Sequence, residues 1–324
     1  MKRLCFIIPY FGKFNNYFPL FLQTCGWNKD FNWLIFTDDT TEYNYPENVE
    51  RIMMRFSECQ NFIKSRFDTA VSLENPYKLC DLKPMYGYIF EEYIKDYRFW
   101  GHCDVDTLMG NLGKWLTDDF LELYDKLFQL GHMTIYRNTY ENNRLFMCEH
   151  REHIPYKAVL SNSAICWFDE EWNNPSNINR IFIDNGKQVF KEDLSLNISC
   201  SYNHFVRSKF VGIENTDMPY GFEIEKPKDT LCLWENGELY RLYKRNGELV
   251  REDFLYLHLQ KRKMHLHKDV LGGDRFKIVP DEFLPVGCSY INNISFNRIK
   301  KTGKCWHTQR IFVNRIINKI KKII

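Results

Sequence analysis

Two carboxylates two residues apart close an aromatic stretch: Asp104 and Asp106, within DYRFWGHCDVDTLMGNL (residues 96–112). Side chains alternate faces along an extended strand, so an i, i+2 pair points one way. Like charges held that close repel unless a cation sits between them. A hard divalent ion with phosphate oxygens completing its shell resolves the repulsion. The expected chemistry is therefore metal–diphosphate binding through Asp104 and Asp106, with Asp106 also among the catalytic residues. An Asp-x-Asp on a solvated face, with no ion at all, is the plainer alternative.

Other residues could complete such a site. Lys83, in Asp81-Leu82-Lys83-Pro84, precedes the acidic stretch and could neutralise a departing phosphate, or be an ordinary solvated lysine. His258 ends an apolar run and precedes Lys261 and Arg262. A neutral imidazole can be a third metal ligand and the two cations can hold diphosphate oxygens; a lone histidine is more often structural. Thr37, Asp38 and Asp39 could hydrogen-bond a base or ribose, or cap a turn. Asp193 could act as a general base opposite the metal, or cap the helix expected after it. Cys148, Glu149, His150 and His153, and His265 with His267, lack the paired spacing of a zinc site and read as surface or structural.

Positioning these groups requires strands that end where they begin. Leu4–Ile8 reads as a buried strand leaving into Pro9-Tyr10-Phe11-Gly12, Trp33–Phe36 as a second ending at Thr37–Asp39, and Val49–Met54 as a third. Alternation of short apolar strands with helical stretches indicates an α/β fold with a mixed, mostly parallel sheet. Ligands of such sheets sit beyond the carboxyl ends of the strands. Pro9, Tyr10, Phe11, Thr37–Asp39 and Asp104–Asp106 all fall at such ends, which argues for one site. Helices are expected over Tyr17–Cys25, Leu79–Ile94, Asp118–Leu130 (capped by Asp118) and much of Asn177–Lys191. Further strands are expected at Met133–Tyr136 and Ala164–Phe168. Late in the chain, Glu235-Asn236-Gly237-Glu238-Leu239 recurs as Arg245-Asn246-Gly247-Glu248-Leu249. Each Asn-Gly is a two-residue hairpin signal, so residues 231–257 read as a β meander whose last strand is Phe254–Leu257.

The 324 residues suffice for one large α/β body with additions. Nine of the 44 Lys and Arg lie from Arg298 onward, past the last acidic residue, Glu282. Residues 1–282 thus hold 35 basic against 42 acidic groups, which disfavours nucleic acid as a partner of the body. Division into a 1–282 body and a 283–324 basic tail follows. Within the tail, Val313, Ile316, Ile317, Ile320 and Ile324 share a helical face amid Arg310, Arg315, Lys319 and Lys322. That suits an anionic membrane interface or, alternatively, docking on a protein. Eleven scattered cysteines without a CxxC pair suggest reduced thiols. The apolar run after Lys2-Arg3 is too short for a signal peptide, and no stretch approaches a membrane span. A cytoplasmic body, peripheral on the inner face of the plasma membrane, is the expected location.

Five blocks together, IIPYFG, FTDD, DLKP, WGHCDVD and YLHLQKRKM, resemble nucleotide-sugar-dependent glycosyltransferases of the GT-A fold. The likeness spans roughly residues 1–265 and extends to proteins of bacterial capsule and O-antigen clusters. It implies Mn²⁺ or Mg²⁺ on Asp104 and Asp106, with His258 completing the shell, and a UDP-sugar as donor. It further implies a hydroxyl of a growing surface glycan, lipid-linked, as acceptor. It does not identify the base, so Asp193 rests on position alone. Two rivals remain. An Asp-x-Asp phosphatase or phosphotransferase would place Thr where Leu108 stands; a non-catalytic, membrane-associated binding protein would not need the full acidic and histidine set.

Overall fold

The computed structural model describes every residue except 150–152, 172–175, 199–203, 213–220, 227 and, apart from 313 and 316, those from 300 onward. The fold is mixed α/β. Its central sheet has seven strands. Four of them, β1 (Lys2–Pro9), β2 (Phe31–Thr37), β3 (Val49–Met53) and β4 (Tyr97–Cys103), are mutually parallel in the order β3-β2-β1-β4. Met133–Arg137 joins β4 antiparallel, and Lys126–Leu127 and Val189–Phe190 complete the edge.

Of these, β1 and β2 read as near-continuous apolar runs because the sheet is covered on both faces there. Along β1, Cys5 and Ile7 enter one core while Leu4, Phe6 and Ile8 enter the other. In β2, Leu34 and Phe36 face the first core, and Phe31, Trp33 and Ile35 the second. The chain winds outward from β1 through β2 to β3, then returns to place β4 on the other side of β1. Loops leaving β1 and β4 therefore diverge at their carboxyl ends and open a crevice between them.

The hairpin signals hold. Asn236 and Gly237, and Asn246 and Gly247, all take positive φ (49°, 82°, 52° and 83°), linking Thr230–Glu235, Glu238–Arg245 and Glu248–Phe254. These strands extend through Arg275–Val279 and Glu282–Pro285 into a six-stranded sheet. The division placed after residue 282 falls inside its fifth strand, and the helix Asn293–Ile299 packs Phe296 and Ile299 onto Leu231, Leu233 and Tyr240. Arg241, fully buried, pairs with Glu225 and Glu252 and so ties the small Ser208–Phe210/Phe222–Ile224 hairpin to this sheet.

Several expectations need correction. Leu79–Ile94 is a chain of short helical turns: Pro84, which has no N–H to donate, sits in a 3-10 turn (Lys83–Met85). Asp118 starts a single turn ending at Leu121, and its cap is Thr117, whose hydroxyl accepts from Phe120 N at 3.3 Å. The chain then turns into the strand Lys126–Leu127 instead of continuing to Leu130. Residues 164–168 form no strand. The helix near 177 spans only Ile178–Asp184. Phe254–Leu257 is broken at Leu255, where the chain leaves the meander, and Tyr256–His258 pairs with Thr107–Met109 and Ser195–Asn197. No disulfide joins any of the nine described cysteines. No described helix is long and apolar enough to cross a membrane. The amphipathic tail lies outside the described residues, save Val313 and Ile316, which are helical and exposed.

Candidate functional site

Asp104 is the first residue after β4, so the parallel sheet delivers it to the crevice beside β1. Its backbone N–H donates to His132 O at 3.0 Å, fixing the turn. Two residues on, Asp106 O accepts from Leu259 N at 2.9 Å, and its side chain accepts from Lys261 N. Gln260 and Lys261 both adopt left-handed φ (48° and 58°), and this tight reversal turns the Lys261 N–H toward the carboxylate. His258 arrives on the strand Tyr256–His258, antiparallel to Thr107–Met109.

His258 Nε2 lies 3.7 Å from Asp106 Oδ1 and 4.0 Å from Asp104 Oδ2. One donor atom from each of the three falls within 4.8 Å of the others. On an octahedral ion with bonds of about 2.1 Å, cis ligands lie about 3 Å apart and trans ligands about 4.2 Å, so these separations suit Mn²⁺ or Mg²⁺ after small adjustment. The tautomer fits as well. Nδ1 of His258 lies 3.2 Å from Asn197 Oδ1, an acceptor, which places the ring proton on Nδ1 and leaves the Nε2 lone pair toward the carboxylates. The ring stacks on His132 at 4.3 Å, and His132 Nδ1 meets Tyr256 Oη at 2.6 Å. Burial, then the neighbouring His258 and Lys83, hold His132 well below the usual imidazole range, so it stays neutral.

Lys83 lies beside the acidic pair. Its Nζ donates to Asp104 Oδ1 at 2.8 Å and to Gly131 O at 2.7 Å, and stands 3.5 Å from Asp169 Oδ2. Burial works against its charge, yet Asp104 and Asp169 hold the ammonium well above its ordinary range. Asp169 and the adjacent Glu170 are both pushed up by burial, with Lys83 opposing. Neither was singled out from sequence; the run Asp169-Glu170-Glu171 after an apolar stretch was the available signal. A Cβ at Gly131 would sit 2.7 Å from Asp169 Oδ2, so a side chain there would push that carboxylate aside.

These groups line one cleft of about 1350 Å³, together with Pro9, Tyr10 and Phe11. A family model matches residues 6–286. The chain belongs to DUF6625, a family of unknown function. A comparison with curated proteins gives no match. In this DUF6625 chain the matched span runs from β1 past the last strand, so every residue of the cleft described above lies inside it.

Four expected site residues go elsewhere. Thr37, Asp38 and Asp39 do not line the cleft. Asp38 Oδ1 accepts from Gly12 N at 2.7 Å, and Asp39 accepts from Lys13 Nζ, Thr41 and Phe14 N at 2.6–3.1 Å. Burial alone would raise the Asp39 carboxyl, but those donors outweigh it and hold it well below the usual carboxylate range. The pair fastens the loop after β1. Asp193 is buried behind the site, accepting from Ser195 N (2.9 Å), Ser195 Oγ (2.6 Å) and Asn197 Nδ2 (3.2 Å). It orients the Asn197 that orients His258. Arg262 borders the cleft, but its guanidinium turns to Pro280 O and Asp281. Lys261 instead carries its ammonium 4.0 Å from the centre of the Tyr77 ring.

Proposed function

We propose that this chain is a metal-dependent glycosyltransferase of the GT-A type. It would move a sugar from a nucleotide-sugar, a UDP-sugar, to a hydroxyl of a bacterial surface glycan. One observation carries the reading: the Asp104–Asp106–His258 donor set lies at the carboxyl end of β4, where the chain crosses over β1, on the wall of a large cleft. That is where a parallel sheet presents a nucleotide. Mn²⁺ or Mg²⁺ held there would offset charge gathering on the departing diphosphate. Asp104, Asp106 and His258 supply the oxygens and nitrogen. Lys83 adds a fixed positive charge beside Asp104, and Tyr10 and Phe11 supply an aromatic wall at the end of β1. Asp193, through Asn197, fixes the His258 ring and is a positioning residue. The basic tail would hold the enzyme against anionic lipid, near a lipid-linked acceptor.

The test is thermal stabilisation by UDP-, GDP-, CMP- and dTDP-sugars, each with and without Mn²⁺. Metal-dependent stabilisation by one nucleotide, absent in Asp106→Ala, is expected. Indifference to all four would sink the reading. Loss of binding to anionic vesicles on deleting Trp306–Ile324 tests the tail separately.

A further inference from the structure

Trp167 stands half-exposed (49%) in the cleft at φ 52°, in the left-handed region that bulky residues rarely adopt. The residues on either side of it are pinned. Asp81, fully buried, accepts from Cys166 N at 2.8 Å and Phe168 N at 3.1 Å. The buried Lys78 braces that carboxylate at 2.7 Å and donates to Ala164 O at 2.8 Å. A clamp built from two buried charges thus holds an indole out in the cleft when the core could have taken it. The next two residues, Asp169 and Glu170, turn carboxylates into the same cleft. His102, buried on β4 and lining the cleft, has both ring nitrogens without a hydrogen-bonding partner among the described residues.

We propose that residues 164–170 form a saccharide subsite: Trp167 receives the C–H face of a sugar ring, and Asp169 and Glu170 accept its hydroxyls. An aromatic plane offers the ring its apolar face, and carboxylates are strong hydroxyl acceptors. Hydroxyl acceptors beside a stacking surface suit a neutral, hydroxyl-rich ring. The segment lies on the far side of β4 from β1, since Glu171 N bonds Gln129 O (2.9 Å) just before the strand Met133–Arg137. A donor at the β1 wall and a saccharide at Trp167 would meet across the Asp104–Asp106–His258 set. The acceptor role of this saccharide rests on the glycosyltransferase reading; the subsite itself does not.

The test is saturation-transfer difference NMR on the full chain with methyl glycosides of glucose, galactose, mannose and N-acetylglucosamine, with and without UDP and Mn²⁺. At least one glycoside should receive saturation at the C–H protons of one ring face. Trp167→Gly should weaken its binding by about fivefold or more, the worth of a lost stacking contact, and Trp167→Phe should recover part of it. Glycine tolerates the left-handed backbone, so the melting temperature of Trp167→Gly should exceed that of Trp167→Ala. That ordering separates loss of the platform from loss of the fold. Saturation unaltered in Trp167→Gly, or no saturation of any glycoside, would overturn the subsite. Glycosides bound at Trp167 in a protein indifferent to UDP and Mn²⁺ would support the subsite while sinking the transferase reading.

Discussion

Two acidic pairs close two parallel strands of one sheet, and they do opposite work. Asp38 and Asp39 follow β2 and spend their oxygens on the loop after β1. Asp104 and Asp106 follow β4 and present theirs to a histidine and a cleft. The difference lies in the donors nearby. After β1, the N–H groups of Gly12 and Phe14 and the Lys13 ammonium all reach the β2 pair. Around Asp104 and Asp106, only Lys83 Nζ and Lys261 N are found bonding the carboxylates among the described residues. An acidic pair is structural when the backbone satisfies it and available when the backbone does not.

The contrast can be broken by exchange of losses. Asp106→Ala should abolish the Mn²⁺-dependent response to nucleotide, a loss of about 100-fold or more, with little change in stability of the ligand-free protein. Asp39→Ala should do the reverse. It strands the buried Phe14 N–H and leaves the exposed Lys13 and Thr41 groups to water, costing about 1–3 kcal/mol in urea denaturation while nucleotide response persists. If Asp39→Ala lost nucleotide binding at unchanged stability, the two pairs would have been assigned the wrong way round. Next in size is Asp193→Asn, which should weaken Mn²⁺ binding by about tenfold, as loss of an outer hydrogen-bonding partner does; titration calorimetry reads it.

Titration sharpens the same comparison. Asp39 has its folded pKa depressed, so its contribution is present above the unfolded value of about 3.9 and drains away as pH falls. Asp193 has its value lifted by burial to about 6. Its contribution is whole below the unfolded value of about 3.9 and is lost as pH rises through the folded value. Asp193→Asn cannot ionise. Its stability relative to the native protein should therefore climb between about pH 4 and pH 6, measured by urea melts at a series of pH values. A flat difference across that window would refute the buried, proton-holding role.

Much of the fold was legible because both faces of the sheet are buried. Strands such as Leu4–Ile8 and Trp33–Phe36 then announce themselves as apolar runs, and Asn-Gly turns announce hairpins. Where one apolar spacing serves two structures, reading failed. Phe120, Leu121, Leu127 and Phe128 suit a helix, yet Phe128 takes φ 69° and the chain becomes a strand. Ala164–Phe168 looks like a strand, but Asp81 takes two of its N–H groups that a sheet neighbour would otherwise need. At the site, Asp104, Asp106, Lys83 and His258 carried local signals. His132 and Asn197 did not, because tertiary contacts alone bring them to the cleft, and Asp169 and Glu170 showed only as an acidic run after an apolar stretch. Asp38 and Asp39 misled because sequence shows the acids and hides their donors.

Leu255 is the single residue between the six-stranded sheet and the strand that carries His258. Its N–H donates to Leu194 O (2.9 Å) and its carbonyl accepts from Gly110 N (2.8 Å). A Cβ at Gly110 would come within 2.5 Å of Phe254 O, so nothing larger than glycine lets the two backbones approach. Such a joint is a rivet, not a hinge. Force applied to the antiparallel sheet, by a docked partner or a crowded surface, would reach the imidazole with no slack to absorb it. The sheet that holds no candidate ligand is in that sense the handle by which the histidine is held.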